Sequence, residues 1–383
     1  MPSAKPLSSV RILVAPDKFK GSLSATEAVE AICLGLERAL PDVRLHKLPL
    51  ADGGEGTTEL FIKVFGGQMV DCETTDALGR PVRARYGWTP SLRQAVIEMS
   101  AASGLWRLAE VERDPLRTST RGAGTLIADA ARRGANRIIV ALGGSATNDA
   151  GAGAAAALGF RFLDASDQPL EPVPLNFPAI KRIEKPGCVF PPEILAIADV
   201  RNPLLGPDGA SRTYGPQKGA TPAAVETLES SLAHFADLVR RDCNCDFRGS
   251  AGAGAAGGLG FGLMSFCNAS IQSGFDMFAD VMDIRRLIAS VDLVITGEGQ
   301  LDAQTFEGKG PGGIARLAKN AGKPVIAFAG RMRGGYRLDE WFDACFTLAD
   351  GPMTAEQSLR EARLLLVRAA ERAGRMIALS RNL

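Results

Sequence analysis

Four apolar segments of this 383-residue chain end directly at a carboxylate. Arg11–Pro16 runs into Asp17, and Leu45–Ala51 runs into Asp52 with Glu55 close behind. Ile194–Ala198 runs into Asp199, and Leu293–Gly297 runs into Glu298 with Asp302 four residues on. Short apolar runs bounded by Gly, Pro and Asp read as buried strands. In open α/β sheets, ligands bind outside the carboxyl ends of the strands, where the chain reverses its winding. Acids gathered there beside Lys, Gly, Ser and Thr predict a metal-assisted site for a phosphorylated ligand. Any single acid is as readily a helix cap or a turn residue; four together are harder to explain that way.

The first unit reads as β-α-β. Ser24 and Glu27 form a capping box before a helix over about 25–40, whose apolar stripe is Val29, Ile32, Leu36 and Leu40. A strand over 43–51 follows. Residues 69–100 alternate apolar and polar more loosely, as half-exposed antiparallel strands do. Helices are predicted over 123–134, 222–241, 312–321 and 355–379, the last opening on the capping-box pair Thr354 and Gln357. Strands are predicted at 137–142, 292–296, 324–329 and 344–348. The Pro-rich stretch 169–192 reads as an ordered loop or strap. Parallel units at both ends with a mixed region between them predict an α/β fold of two domains. A discontinuous Rossmann- or flavodoxin-like parallel-sheet domain (1–75 and 286–383) would hold an inserted mixed-sheet α/β domain (76–285).

Composition excludes several functions. Lys plus Arg number 44 against 43 Asp plus Glu, and the balance of +1 gives no electrostatic case for nucleic acid or an acidic membrane surface. No stretch is long and apolar enough to span a bilayer, and residues 1–9 lack the apolar core of a secretion signal. Seven scattered cysteines fit a reduced, cytoplasmic setting better than a disulfide framework. Cys243-Asn244-Cys245 lacks the further ligands a zinc site needs. The two histidines, His46 in a strand and His234 in an amphipathic helix, read as structural, so an Asp, Glu or Lys must act if a hydroxyl is to be deprotonated.

Two glycine-rich loops carry different weight. Gly252, Gly254 and Gly257 have dinucleotide-fingerprint spacing, but no buried strand precedes them as that fingerprint requires. Gly143-Gly144-Ser145-Ala146-Thr147-Asn148-Asp149 follows a convincing strand and precedes an Ala-rich helix. There, backbone N–H groups and the Ser145, Thr147 and Asn148 side chains can meet phosphate oxygens, and Asp149 can hold a metal or cap the helix. Asp17-Lys18-Phe19-Lys20-Gly21-Ser22 has the same strand–loop–helix logic. The run from Glu298 through Asp302, Thr305 and Lys309 joins carboxylates, a hydroxyl and an ammonium before a helix, a donor set suited to Mg²⁺. Neither a P-loop nor the protein-kinase motif set is present. A short echo also stands out: Ala150–Phe160 matches Ala251–Phe261 at nine of eleven positions.

Taken together, these blocks resemble the bacterial glycerate kinase family. The resemblance is carried by Ala15–Leu23, Pro49–Thr57, Gly143–Asp149, Ala198–Leu204, Tyr214–Ala220, Gly252–Gly260 and Thr296–Asp302, in order along nearly the whole chain. One departure is Thr120-Arg121-Gly122, where the family more often has an aromatic residue before the Gly. The resemblance implies two α/β domains with a cleft between them and ATP-dependent phosphorylation of D-glycerate, most often on the 2-hydroxyl. It points to Asp199 as base or orienter of the glycerate hydroxyl and to Glu298 and Asp302 for Mg²⁺. Ser145, Thr147 and Asn148 would contact phosphate or glycerate, and Lys18, Lys20, Lys218 and Lys309 would neutralise phosphate or carboxylate charge. Asp17, Ser22, Asp52, Glu55, Gly143, Gly144, Asp149 and Thr305 complete the expected site. The alternatives are a glycerate 3-kinase, a kinase of another small sugar acid, and, further off, a regulator that binds a small carboxylate without turnover. ATP and D-glycerate are the expected small-molecule partners; the sequence leaves self-association open.

Overall fold

The computed structural model describes residues 9–50, 57–187, 192–302, 305, 310–332 and 338–380. In chain order its elements begin with β1 (Arg11–Val14), α1 (Ala25–Ala39), β2 (Arg44–Lys47), α2 (Thr57–Phe65), β3 (Gln68–Thr75), β4 (Pro81–Thr89) and β5 (Gln94–Glu98). Next come α3 (Ser100–Ser103), α4 (Arg121–Arg132), β6 (Arg137–Ala141), α5 (Ala152–Ala157), β7 (Arg161–Leu163), β8 (Arg182–Glu184) and β9 (Glu193–Ile197). Then follow α6 (Ala210–Tyr214), α7 (Pro222–Cys243), α8 (Ala255–Cys267), β10 (Ser270–Gln272), α9 (Gly274–Val281) and α10 (Ile284–Ser290). The chain closes with β11 (Leu293–Leu301), α11 (Gly310–Asn320), β12 (Val325–Met332), β13 (Ala344–Thr347), α12 (Ala355–Arg360) and α13 (Ala362–Ser380).

The chain divides into two compact units, Met1–Asp52 with Phe275–Leu383, and Gly53–Gly274. The first holds a five-stranded sheet in the order β13-β12-β11-β1-β2, every pair parallel. Counted within the unit this is the doubly wound order 2-1-3-4-5, whose winding reverses between β1 and β11. Ile12 and Val14 pack with α1 and α13, while Leu13 and Val294, on the other face, are equally buried. Ile12–Val14 and Leu293–Ile295 are apolar because both faces are covered, whereas β2, expected to be buried, is an exposed edge strand carrying Arg44, His46 and Lys47. Helix α1 starts where the sequence says: Ser24 and Glu27 close the capping box in both directions.

The second unit is built on a six-stranded mixed sheet, β10-β9-β6-β5-β4-β3. Strands β10, β9, β6 and β5 run parallel, and β4 and β3 extend the sheet as antiparallel strands. One core lies between this sheet and α4 and α8; a second gathers Phe162, Phe177 and Phe235 under α7. The α/β class with one parallel and one mixed sheet is borne out.

Several local expectations are adjusted. Strand β11 runs on to Leu301, so Glu298 lies within the strand rather than in the loop after it. The C-terminal helix is two helices, because a turn at Glu361 separates α12 from α13. The Pro-rich strap contributes strand β8, which pairs with β7, and a short 3-10 helix over Pro174–Ala179. The first 3-10 residue is a proline, whose missing N–H costs nothing there.

Candidate active site

In the first unit, the loop after β1 and the end of β11 meet at the point where the winding reverses. Asp17 donates its backbone N–H to Gly297 O at 2.8 Å, and its carboxylate accepts from the Lys18 N–H at 2.6 Å. Asp17 is half-buried, Lys18 and Lys20 are exposed, and Ser22 Oγ donates to Phe19 O. Gly299 in β11 lets this loop come close: a Cβ there would stand 2.9 Å from the Lys20 nitrogen. Glu298 and Asp302 are half-buried at the strand end. Buried Thr305 ties them together, donating through Oγ1 to Glu298 Oε1 at 2.7 Å and accepting from the Asp302 N–H at 3.1 Å. Gln300 Nε2 donates to Asp302 Oδ2.

These donors are hard oxygens, and a Mg²⁺ site commonly uses one or two carboxylates completed by water and phosphate oxygens. Glu298 and Asp302, held by Thr305, fit that pattern. Among the described residues, no three His, Cys, Asp or Glu side chains converge into a metal cage.

In the second unit, the loop after β6 is buried from Ser145 to Asp149. Only the Gly143–Gly144 turn at its head is exposed, with Gly144 at φ +70°. Asp149 is fully buried and accepts four hydrogen bonds: from Thr120 N at 2.7 Å, Thr120 Oγ1 at 2.8 Å, Gly153 N at 3.1 Å and Gly151 N at 3.2 Å. Burial pushes its carboxyl up against the pull of those donors. Thr120 Oγ1 also accepts from the Ala154 N–H. The first N–H groups around the short helix α5 are thus taken within the protein, and their dipole is spent on Asp149.

Lys218 is nine-tenths buried and donates from Nζ to Thr147 O at 2.7 Å. Burial drives its ammonium down to about 7, and the charge of Asp149 opposes the drop. Asn148 Nδ2 donates to Ser211 Oγ at 2.9 Å. Among the described residues, Thr147 Oγ1 and Asn148 Oδ1 are buried without a hydrogen-bond partner. Native interiors rarely leave such atoms unmatched, and a polar ligand or an ordered water is the usual partner. Asp199 is half-buried just past β9, and its Oδ1 accepts from the Gly274 N–H at 3.0 Å.

The loop is shaped by a left-handed run at Ala256, Gly257 and Gly258, with φ of 53°, 67° and 90°. Gly257 presses on the loop so closely that a Cβ there would lie 1.9 Å from Thr147 O. This is why the fingerprint-like glycines occur without a preceding strand: they pack backbone on backbone. Each echo segment holds its first glycine left-handed, Gly151 at φ 74° and Gly252 at φ 83°.

The expected residues thus fall into two groups. The first unit gathers Asp17, Lys18, Lys20, Ser22, Glu298, Asp302 and Thr305. The second gathers Gly143, Gly144, Ser145, Thr147, Asn148, Asp149, Lys218 and Asp199. Asp52, Glu55 and Lys309 lie outside the described residues. Thr120 and Ser211 are additions from the structure; in the sequence Thr120 is visible only as the end of the hydroxyl-rich run Thr118-Ser119-Thr120 and beside the Arg121-Gly122 departure. His234 Nε2 lies 3.2 Å from Ile180 O, and His46 is exposed on β2. Six described cysteines are unpaired, and no described helix is long and apolar enough to cross a membrane.

The glycerate kinase family model matches residues 12–378. The chain belongs to the glycerate kinase family. It is similar to the glycerate kinase of Bacillus subtilis strain 168, with 40% identity over 98% of this chain and 99% of that one. The Escherichia coli K12 glycerate 2-kinase is 39% identical over 92% of this chain and 94% of the relative. A crystal structure from Salmonella typhimurium LT2, provisionally named glycerate kinase 2, superposes with a TM-score of 0.83. That protein is 40% identical, and the match covers 98% of this chain and all of the other. The family's members are kinases, so this chain is an enzyme of the phosphotransferase class.

Proposed function

We propose that this chain transfers the γ-phosphoryl group of ATP to the 2-hydroxyl of D-glycerate, giving 2-phosphoglycerate and ADP. The observation that carries this reading is kinship along the full chain, with the relative named glycerate 2-kinase supporting the choice of hydroxyl. In such a transfer the acceptor hydroxyl loses its proton, its oxygen bonds the γ-phosphorus, and the bond to the β–γ bridging oxygen breaks. The protein's work is positioning and charge stabilisation.

In this reading Asp199 orients the glycerate hydroxyl and takes its proton. Lys218, pulled down to about 7 by burial and anchored on Thr147 O, braces the loop that carries Ser145, Thr147 and Asn148, and an anionic ligand there would favour its charged form. Those side chains contact glycerate or phosphate. Asp149 serves them indirectly, by fixing the loop through Thr120, Gly151 and Gly153. Lys18, Lys20 and Ser22 face anionic groups from the loop after β1. Mg²⁺, held by Glu298 and Asp302, would neutralise charge on the transferring phosphates.

The test is to incubate the purified protein with ATP, Mg²⁺ and D-glycerate and to read the product by phosphorus NMR. A 2-phosphoglycerate signal is expected. A 3-phosphoglycerate signal would keep the kinase and overturn the hydroxyl, and no phosphorylated product would overturn the substrate.

A further inference from the structure

A cavity of about 330 Å³ opens beside the second unit's sheet, lined among others by Arg83 and Arg85 of β4, Glu98 at the end of β5, Ser100, Trp106 and Arg107. The volume lies at the lower end of small-molecule sites. Its most telling wall is Trp106, 63% exposed although it is a large aromatic. The indole is not loose: Nε1 donates to Ser100 O at 3.0 Å, and the Arg107 guanidinium sits 4.4 Å from the ring centroid. Arg107 is itself held, with Nε donating to Ala101 O at 2.8 Å. An exposed aromatic fixed from one side is a stacking platform that loses little freedom when a flat ring lands on it.

The cations beside it are available. Arg83 and Arg85 alternate along β4 and so share a face. Their pairings with Asp71, at 3.1 Å and 3.9 Å, are solvent-exposed. Exposed pairs of this kind are weak, and guanidinium exchanges them readily for the fork geometry of phosphate. Ser100 connects the cavity to the loop after β6: a Cβ on Gly144 would lie 3.3 Å from Ser100 Cβ, and the Leu105 N–H donates to Gly144 O at 2.9 Å. The cavity thus adjoins the exposed Gly143–Gly144 turn, and Glu98 offers a carboxylate to which ribose hydroxyls can donate.

We propose that this cavity binds the purine nucleoside diphosphate portion of the phosphoryl donor, with the base on Trp106, the ribose near Glu98, and the phosphates between Arg83, Arg85 and the Gly143–Gly144 turn. The inference rests on the proposed kinase reading and adds the place and chemistry of the donor subsite.

The test is calorimetric titration with ADP of the parent chain and of Trp106→Ala, Trp106→Phe and the double variant Arg83→Ala/Arg85→Ala, with the KM for D-glycerate and the thermal midpoint measured alongside. Trp106→Ala should weaken ADP at least ~10-fold, the scale of losing one base–aromatic stack. Trp106→Phe should keep binding within about threefold, since a ring remains. The double arginine variant should weaken ADP while leaving the KM for D-glycerate within about twofold, as separate subsites require. If Trp106→Ala fails to fold, the arginine and phenylalanine variants decide alone. Equal ADP affinity in the parent and the altered chains overturns the pocket, as does a parent chain that phosphorylates glycerate but does not bind ADP. Trp106-dependent ADP binding without glycerate phosphorylation upholds the pocket and overturns the substrate reading instead.

Discussion

Lys218 Nζ reaches the backbone oxygen of Thr147 at 2.7 Å across 71 positions of sequence, and both side chains are buried. One side chain therefore fastens the short 3-10 turn Pro216–Lys218, just before α7, to the loop after β6. Because a lysine rarely sits so deep without a carboxylate directly on it, the arrangement has consequences for both stability and chemistry.

The first concerns pH. Burial lowers Lys218 from 10.5 to about 7. Between those values the unfolded chain holds a proton that the folded chain has released, so stability rises with pH across the window. The gain is complete above the unfolded value and is lost as pH falls through about 7. Lys218→Met removes the titration, so its unfolding free energy should be flatter than the parent's between pH 7 and pH 10. Urea denaturation at several pH values measures this, and parallel curves would show that Lys218 carries no linkage.

Asp149 should matter to folding more than to ligand affinity. Asp149→Ala leaves four buried donors without an acceptor and should cost about 3 kcal/mol or more. Asp149→Asn, which turns an NH₂ toward donors, should cost less but still over ~1 kcal/mol. Denaturant midpoints read both, and a near-silent Asp149→Ala would contradict the role described for it.

Asp199 Oδ1 accepts from the Gly274 N–H at 3.0 Å, a backbone contact outside the hydrogen bonds that Asp149 accepts. Asp199→Asn should leave the thermal midpoint nearly unchanged and lower kcat at least ~10²-fold, the scale of a lost general base. Steady-state kinetics on D-glycerate would detect it; turnover near the parent's removes the assignment.

Gly257 is the position where backbone meets backbone. Gly257→Ala places a methyl 1.9 Å from Thr147 O at φ +67°, a conformation that already costs an L-residue ~1 kcal/mol. Thr147 must move and carry the Lys218 contact with it. The expected result is a folded, destabilised chain with kcat reduced by at least ~10-fold, as displaced catalytic groups give. Melting curves paired with kinetics separate the two effects.

Features of local origin could be read from the chain. The Ser24–Glu27 and Thr354–Gln357 caps appear as expected because capping spans only three residues. The apolar runs that lead to Asp17, Asp199 and Glu298 were visible because burial on both faces makes them continuously apolar. Features set by distant packing could not be read. Nothing near Asp149 reveals that Thr120, 29 residues away, will occupy it. The loop–helix pattern suggested a dipole open to phosphate; the helix is six residues long, and its Gly153 and Ala154 N–H groups are already taken by Asp149 and Thr120. Lys218 is marked in the sequence only by the family resemblance; its burial comes from distant packing, with Nζ on the Thr147 oxygen 71 residues away. Trp106 gave no signal because exposure is not encoded in residue type.

The echoed stretches Ala150–Phe160 and Ala251–Phe261 turn out to lie against each other. A methyl on Gly258 would meet the Ala150 α-carbon at 2.7 Å, and one on Gly151 would meet the Leu259 side chain at 3.3 Å and the α-carbon of Gly262, just past the second stretch, at 2.9 Å. Most crowded contacts in proteins can drift, because a larger residue on one side is accommodated by a smaller one opposite. Glycine has nothing smaller to retreat to. Neither stretch can therefore rescue a change in the other, and the two are expected to be held fixed together through sequence divergence, as one indivisible character rather than two.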